Sequence, residues 1–300
     1  MLEVIKLTKK YADLTAIDNI SFNAVQGKIL GLIGPNGAGK TTTIRSILNI
    51  IKPTSGDILF DGKPIDSNFY NKVGYLPEER GLYKKSKVSD VLKYFAVLKV
   101  VNLRKIQLRL TSLLEQMGIE ELVSKNIEQL SKGNQQKVQF ISSILHDPQI
   151  LILDEPFAGL DPINQQIIKE IIAAFLDDGK IIIISTHMME VAENLCSDIF
   201  LLNKGKEVLS GSLKEIKQKF GGNTYKLKYE GDCSFINEIS GVRSILKIDN
   251  NTCDITFNEN IVASELLTKI ISKLKVSHFA HIEPNLNNIF IESVKTSNNQ

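Results

Sequence analysis

The 300-residue chain has few cysteines and no long apolar segment. Cys196, Cys233 and Cys253 form no cluster with metal-ligand spacing, and so sparse and odd a set is typical of a reducing compartment. No run of about 18 or more apolar residues occurs, and residues 1–10 alternate like a strand without the apolar core of a signal peptide. We therefore expect a cytoplasmic protein that does not itself span a membrane.

The chain also lacks an excess of either charge. Its 36 Lys and Arg nearly balance 34 Asp and Glu, for a formal net charge of +2. A dedicated nucleic-acid binder usually carries a basic patch or stripe, so no nucleic-acid partner is expected. Hydrophobic residues make up 43% of the chain, enough to bury a substantial core, and the length allows two domains.

Residues 34–41 read Gly-Pro-Asn-Gly-Ala-Gly-Lys-Thr and match the Walker A pattern G-x-x-x-x-G-K-[ST]. The apolar run 28–33 predicts a buried strand before this loop, and residues 41–48 predict a helix after it. In such a unit the backbone N–H groups and the helix N-terminus converge on phosphates. A glycine-rich turn without a ligand is the alternative, which the flanking strand and helix disfavour.

From this loop we predict contacts to ATP, with Lys40 on the β- and γ-phosphates and the Thr41 hydroxyl as a Mg²⁺ ligand. The predicted nucleotide-binding residues of the loop are Gly34, Pro35, Asn36, Gly37, Ala38, Gly39, Lys40, Thr41 and Thr42.

A second apolar run, residues 150–153, ends in Asp154-Glu155-Pro156. An aspartate at a strand end can hold Mg²⁺ through water, and a neighbouring glutamate can take a proton from the attacking water. The alternative is that both carboxylates only end a strand on a solvated loop. Beside a phosphate loop, we predict Asp154 as a magnesium ligand and Glu155 as the catalytic base.

Residues 130–137, Leu-Ser-Lys-Gly-Asn-Gln-Gln-Lys, precede a helical apolar pattern and place Ser131 where an N-cap belongs. The string resembles the LSGGQ signature of ATP-binding cassette (ABC) proteins, although Lys132 replaces the first signature glycine and Asn134 the usual glutamine. Residues 157–162, Phe-Ala-Gly-Leu-Asp-Pro, and 184–187, Ile-Ser-Thr-His, complete the family's order of motifs. The resemblance covers about the first 210 residues.

The resemblance implies roles for three further side chains: Tyr11 stacks on adenine, His187 is a catalytic residue that contacts the γ-phosphate, and Asp161 helps to align the site of a partner subunit. It also implies that ATP lies between the phosphate loop of one subunit and Ser131 and Gly133 of another. The alternatives are an ordinary strand aromatic for Tyr11, a polar strand terminator for His187 and a helix N-cap before a proline for Asp161. For Asp161 both roles can hold.

Glu78 occupies the position where most cassettes carry a glutamine that joins two subdomains and senses Mg²⁺ and water. A carboxylate can reach the metal but cannot donate an amide hydrogen bond. Glu78 is therefore predicted to bind nucleotide and is a further candidate Mg²⁺ ligand. Residues 74–83 and the altered signature resemble the ATPase subunits of bacterial exporters of the sodium-efflux type and related ABC-2 systems.

The resemblance implies an α/β P-loop NTPase fold of ABC type over residues 1–212, with an inserted helical subdomain at about 78–148 where apolar residues recur at helical spacing. Residues 213–222 are predicted as a linker that contains a short amphipathic helix. Residues 223–300 follow the order β-α-β-β-α-β, which predicts a small α+β domain of ferredoxin-like type. Regulation, dimer support and packing remain open as its role.

In this family one phosphate loop and one signature cannot complete a site within one chain. We therefore predict an ATP- and Mg²⁺-dependent ATPase that pairs with a second ABC subunit, either a homodimer partner or a paralogue. It would drive a separate integral membrane permease from the inner face of the cell membrane, in the direction of export. The alternatives are a soluble ABC ATPase acting on ribosomes or nucleic acid and a low-turnover regulatory nucleotide-binding module.

Overall fold

A computed structural model describes residues 1–79, 81–99, 103–220, 223–257, 263–282 and 284–297. The chain divides into two compact units, Met1–Gly211 and Ser212–Gln300. In the part of the chain that the structure describes, no helix is both long enough and apolar enough to cross a bilayer.

The first unit contains strands and helices that are mixed along its length. Its strands are β1 (Leu2–Tyr11), β2 (Leu14–Ala24), β3 (Ile29–Ile33), β4 (Ser55–Phe60), β5 (Lys63–Pro64), β6 (Val73–Leu76), β7 (Ile150–Asp154), β8 (Ile181–Thr186), β9 (Asp198–Asn203) and β10 (Lys206–Ser212). Its helices are α1 (Lys40–Ile47), α2 (Ser67–Asn71), α3 (Val88–Leu98), α4 (Leu103–Met117), α5 (Lys132–Ile144), α6 (Pro162–Asp177) and α7 (Met189–Leu195).

The strands of this unit form a sheet in the order β10-β9-β3-β8-β7-β6 and another in the order β2-β1-β4-β5. In the first sheet β9, β3, β8, β7 and β6 run parallel. All residues of β3, β7 and β8 are buried, as expected for parallel strands covered on both faces. Their carboxyl ends meet at one edge, where ligands of open α/β sheets bind.

The second sheet is antiparallel and shares a core with the first. Phe22 of β2 and Phe200 of β9 are in ring contact, with centroids 4.9 Å apart, and Ile44 of α1 is fully buried in the same cluster. Helices α3, α4 and α5 lie between β6 and β7 in the chain, within the predicted helical subdomain. The α/β fold with inserted helices is therefore confirmed.

The second unit contains α8 (Leu213–Phe220), β11 (Asn223–Glu230), β12 (Val242–Asp249), β13 (Thr252–Phe257), α9 (Ala263–Ile271), β14 (Lys275–His281) and α10 (Leu286–Ser297). Its strands pair antiparallel in the order β12-β13-β11-β14. A 3₁₀ turn at Ser234–Glu238 stands where the sequence predicts the first helix. The small α+β domain of ferredoxin-like type is thus present.

The short amphipathic helix predicted within residues 213–222 is present as α8, which spans residues 213–220. One feature of this unit differs from the prediction made from sequence. The last helix, α10, is absent from that prediction, although Asn285 gives a local signal for it: its Oδ1 accepts a hydrogen bond of 2.8 Å from the Asn288 N–H, as an N-cap does. The polar residues 295–300 are predicted from the sequence to fray, but residues 295–297 belong to α10, and residues 298–300 lie outside the described residues.

A buried histidine joins the segment after α5 to the start of β6. His146 Nε2 lies 3.0 Å from Val73 O, and because a carbonyl only accepts, this nitrogen carries the proton. Lys99 Nζ donates to the same carbonyl at 3.0 Å and to Tyr70 O at 2.6 Å. Burial lowers the pKa of His146 to about 4, and the charge of Lys99 acts in the same direction.

This histidine should make the fold sensitive to acid. In the unfolded chain His146 binds a proton near its ordinary pKa of 6.5, whereas in the folded chain it does so only near a pKa of about 4. Between these values the unfolded state therefore binds more protons than the folded state. The contribution of neutral His146 to the free energy of unfolding is complete above pH 6.5 and is lost as the pH falls toward 4. From pH 7.5 to pH 5 the loss should be about 2 kcal/mol.

The matched variant is His146→Gln, which keeps an N–H donor for Val73 O but does not titrate. Urea unfolding of both proteins at pH 7.5 and pH 5 measures the difference. The variant should lose less stability on acidification than the wild type, and equal losses in the two proteins would contradict this account.

Candidate functional site

The loop between β3 and α1 follows a path that requires glycine at two points. Gly34 has φ +156°, and a Cβ there would lie 2.2 Å from Leu202 O. Gly39 has φ +108°, and its Cβ would lie 2.8 Å from Ala16 O. The loop backbone is thus pressed against β2 and β9 without space for side chains. The Gly34 N–H donates to Thr186 O and the Ala38 N–H to Pro35 O. The other N–H groups of the loop and those at the start of α1 are positioned to bind an anion.

Lys40, the first residue of α1, has a buried side chain that folds over this loop. Its Nζ donates to Gly34 O at 2.8 Å and to Pro35 O at 3.3 Å. The same Nζ lies 3.7 Å from Glu155 Oε1. A buried ammonium group is unfavourable unless it is paired, and here carbonyl oxygens and a carboxylate compensate it. The cation is therefore held at the loop, where a phosphate group would meet it.

Glu155 follows β7 and has φ +50°, a left-handed conformation that is uncommon for residues other than glycine. Its backbone N–H donates to Ser185 O at 3.0 Å. Its Oε1 accepts from the His187 N–H at 2.9 Å and lies 2.8 Å from His187 Nδ1, while Oε2 accepts from Thr186 Oγ1 at 3.3 Å. The end of β8 thus fixes both the backbone and the carboxylate of Glu155.

Asp154, the last residue of β7, is fully buried. Its Oδ1 accepts from the Ser185 hydroxyl, whereas Oδ2 has no hydrogen-bond partner among the described residues. Burial raises the pKa of Asp154, and the hydroxyls of Ser185 and Thr41 oppose that shift by favouring the charged form. An unpaired carboxylate oxygen beside a threonine hydroxyl suits a hard cation, which prefers oxygen ligands.

Several of these groups line one open cleft of about 690 Å³, a size typical of small-molecule sites. Residues 36–42, Glu78 and Glu155 form part of its wall, and Tyr11 lies at the end of β1 on the same wall. The Tyr11 ring is exposed, with Lys9 Nζ 4.7 Å from its centroid. Such a ring offers an apolar face for stacking.

Other predicted residues lie outside this lining. Gly34, Pro35, Asp154 and His187 adjoin or contact lining residues without lining the cleft themselves.

Ser131, Gly133 and Asp161 are also absent from the cleft wall, and two of them cap helices. Ser131 Oγ accepts from the Asn134 N–H at 3.2 Å at the start of α5. Asp161 Oδ1 accepts from the Asn164 N–H at 3.0 Å at the start of α6, and hydrogen bonds from Asn164 lower the pKa of Asp161. The predicted N-caps are therefore confirmed, while these residues do not join the cleft of their own chain.

Some residues that line the cleft are not predicted from the sequence, namely Leu14, Thr15, Ala16, Lys204 and Gly205. Lys204 and Gly205 form the turn between β9 and β10, both with positive φ. The Gly205 N–H donates to Ala38 O at 2.9 Å, and Gly205 O accepts from the Asp18 N–H at 2.8 Å. Gly205 suits a turn because glycine adopts positive φ without strain, but no local pattern shows that this turn reaches the phosphate loop.

Known proteins resemble this chain in sequence and in fold. A family model described as ABC transporter matches residues 17–158, and one described as ATP-binding protein DrrA1-3-like, C-terminal domain, matches residues 211–294. The uncharacterised ABC transporter ATP-binding protein YhaQ of Bacillus subtilis (strain 168) is 42% identical over 294 residues, 98% of each chain.

Two further similarities each cover a smaller share of the chain. Nod factor export ATP-binding protein I of Ralstonia nicotianae is 33% identical over 219 residues, which is 72% of this chain and 68% of that protein. A solved ATP-binding subunit of an ABC transporter has a TM-score of 0.69 and 31% identity, covering 73% of this chain and 93% of the other.

The chain belongs to the ABC transporter ATP-binding proteins, and it is an ATP-binding and ATP-hydrolysing subunit of that class. The resemblance inferred from its motifs is confirmed, and ATP is the nucleotide that proteins of this class bind. The relatives named here give no support to a ribosomal or nucleic-acid role.

The exposed ammonium of Lys204 at the cleft should contribute to ATP affinity, because ATP is anionic and the turn is hydrogen-bonded to the phosphate loop. Lys204→Ala is expected to weaken ATP binding about two- to fivefold, the effect of losing one exposed ionic contact. Titration calorimetry with ATP and with uncharged adenosine measures this, and adenosine affinity should not change.

The matched control for Lys204 is Lys206→Ala. Lys206 lies two residues further along the chain, faces Asp18 with an N···O distance of 3.5 Å and does not line the cleft. If both variants weaken ATP binding equally, or neither does, Lys204 makes no specific contribution.

Proposed function

We propose that this chain is the Mg²⁺-dependent ATPase subunit of an exporter and that it powers transport through a separate membrane permease. The observation that carries the proposal is the shared cleft at the carboxyl ends of β3 and β7. There the phosphate loop, Lys40 and Glu155 meet within contact distance.

In this scheme ATP lies along the cleft between Tyr11 and Glu155. Tyr11 stacks on the adenine ring, an interaction that needs a flat apolar face and no base-specific hydrogen bond. Lys40 and the N–H groups of residues 36, 37 and 39–42 hold the phosphates. The tight glycine-lined path of the loop and the buried Lys40 ammonium support this placement.

We propose Thr41 and Asp154 as the residues that hold Mg²⁺, with Glu78 as a further ligand. The unpaired Oδ2 of Asp154 and the position of Glu78 on the same cleft support the assignment. When bound, the ion would neutralise charge on the phosphate oxygens.

Glu155 is proposed as the general base. A water oxygen attacks the γ-phosphorus, the bond to the bridging oxygen of ADP breaks, and the Glu155 carboxylate takes the proton of the water. The bonds from His187 and Thr186 keep that carboxylate in place, and its backbone is held by Ser185. His187 is proposed to act beside Glu155 and to contact the γ-phosphate.

The site is proposed to be completed by a second ABC subunit, either another copy or a paralogue. Ser131, Gly133 and Asp161 do not line the cleft of their own chain, so they are assigned to the partner's nucleotide. Gly133 supports this assignment, because among the described residues the atom that a Cβ there would meet within 4 Å is Leu160 Cδ2, at 3.8 Å. Packing within the chain therefore does not require glycine, whereas close approach of another molecule would.

Glu155→Gln is expected to bind ATP but to lower the turnover rate by about a hundredfold or more, because an amide cannot take up the proton. With hydrolysis blocked, the protein should remain a dimer at saturating ATP. Phosphate release and light scattering after size exclusion measure the two effects.

The control for this experiment is Glu190→Gln, an exposed glutamate on α7 that does not line the cleft. It should hydrolyse ATP at the wild-type rate. A Glu155→Gln protein that still turns over ATP, or that stays monomeric with ATP bound, would contradict the scheme.

The permease is proposed to contact the helical subdomain on an exposed apolar surface formed by Tyr83, Tyr94, Val97 and Leu98. These side chains are 46–59% exposed, and the rings of Tyr83 and Tyr94 meet edge to face at 5.8 Å. A cluster of exposed large apolar side chains is a common mark of a protein contact surface. The name of the Nod factor export relative supports transport in the direction of export. Such docking would place the chain on the cytoplasmic face of the membrane.

This docking surface is tested by purifying tagged Glu155→Gln protein with ATP from gently solubilised native membranes. A polytopic membrane protein should co-purify in stoichiometric yield. Adding Tyr94→Glu should abolish this co-purification, because it would bury a charge in the contact. The control is Leu108→Glu, at a 78% exposed leucine on α4, which should leave it intact. Recovery of ribosomal proteins or nucleic acid instead would favour the soluble alternative.

A further inference from the structure

One buried side chain on α5 holds the loop that carries Glu78. Gln139 is only 4% exposed, and its Nε2 donates to Pro77 O at 3.3 Å and to Glu79 O at 2.9 Å. These are the carbonyl groups immediately before and after Glu78 in the chain. A single amide group therefore fixes the backbone on both sides of that carboxylate.

The amide orientation follows from the same contacts. A flipped Gln139 would direct Oε1 at two carbonyl oxygens, neither of which can donate, so Nε2 must face the loop. In that orientation Oε1 is buried without a hydrogen-bond partner among the described residues. A buried unpaired acceptor is unfavourable, so an apolar side chain would serve packing alone better than glutamine does. The two bonds to the loop give the glutamine a positional role.

A second contact ties the same loop to the phosphate-binding helix. Arg45 Nη2 on α1 lies 3.4 Å from Glu79 Oε1, in an ion pair whose carboxylate side chain is 85% exposed. Exposed ion pairs of this kind hold a loop weakly. The buried amide of Gln139 is thus the stronger of the two anchors.

We propose that Gln139 is a positioning residue for Glu78 and couples it to α5, the helix that begins at Ser131. Since α5 is a continuous helix, Gln139 moves with Ser131, and any shift of that helix is passed to the loop at residues 77–79. The proposal rests on the role of Glu78 in the proposed function.

The first test measures the loop itself, without nucleotide or turnover. Gln139→Met keeps the length of the side chain and removes its donor. In the full-length protein without nucleotide, amide hydrogen exchange in a peptide covering residues 75–79 should become about tenfold faster. Unchanged exchange would overturn the proposal, because the amide would then not hold the loop.

The matched control is Gln135→Met. Gln135 lies on the same helix, and its Nε2 also donates to two backbone carbonyls, Ile127 O and Leu130 O, each at 3.1 Å. Neither carbonyl belongs to residues 77–79, so exchange there should not change. Equally fast exchange in this control would show general loosening of α5 and would count against a specific hold. If Gln139→Met does not fold, Gln139→Glu, which is isosteric and lacks the donor when ionised, replaces it in every arm.

The second test asks whether Gln139 acts through Glu78. Gln139→Met should lower kcat about tenfold with little change in the KM for ATP, the pattern expected when a group is misplaced. In a Glu78→Ala background the same substitution should have no further effect. Independent, additive losses would overturn the proposal.

Comparison of the two single variants also separates the positioning role of Gln139 from the proposed role of Glu78, on which it rests. If Glu78→Ala leaves kcat and the Mg²⁺ requirement unchanged, the proposed role of Glu78 fails and the coupling fails with it, whatever the exchange result. If Glu78→Ala is impaired and Gln139→Met is not, only the positioning role is lost.

Discussion

The site depends on the parallel pairing of β3, β8 and β7. Ile33 is paired with Thr186 and Asp154 with Ser185, so the three strands end at the same edge of the sheet. At this edge, the phosphate loop follows β3, Glu155 follows β7 and His187 follows β8. A shift of one residue in the β7–β8 pairing would turn Ser185 to the opposite face of the sheet from Asp154. The fully buried apolar residues of these strands make such a shift costly and so define the positions of the polar groups.

At this edge the fold retains groups that it satisfies only in part. Lys40 is compensated by carbonyl oxygens and by Glu155, Asp154 keeps one buried oxygen without a hydrogen bond among the described residues, and Glu155 has a left-handed backbone. The unpaired Asp154 oxygen and the left-handed backbone of Glu155 each lower the stability of the protein alone, whereas the buried Lys40 charge is compensated within the fold. Their concentration around one cleft is typical of a site whose remaining contacts come from a ligand.

The parts of the site that can be predicted from the sequence are those whose geometry is local. A strand, a loop of fixed glycine spacing and a helix determine where Lys40 and Thr41 lie, and an N-cap position determines Ser131. Lys204 and Gln139 cannot be predicted in this way, because tertiary contacts bring them to the site: Gln139 bonds to Pro77, 62 residues earlier. In the second unit the order of strands is readable, whereas α10 is missed because asparagines at its start also favour turns.

The loop at residues 77–79 contacts side chains of two helices, α1 and α5. These helices start at different parts of the proposed nucleotide site. Helix α1 begins at Lys40 and reaches the loop through Arg45, while α5 begins at Ser131 and reaches it through Gln139. A contact can couple the loop to a helix only if that contact differs between two states of the protein. Of these two contacts, the Arg45–Glu79 ion pair is readily replaced by contacts with water. If the buried Gln139 amide moved away, the carbonyl groups of Pro77 and Glu79 would lose their hydrogen-bond donor. The loop therefore follows α5 more closely than α1, and Glu78 responds chiefly to the helix that presents Ser131.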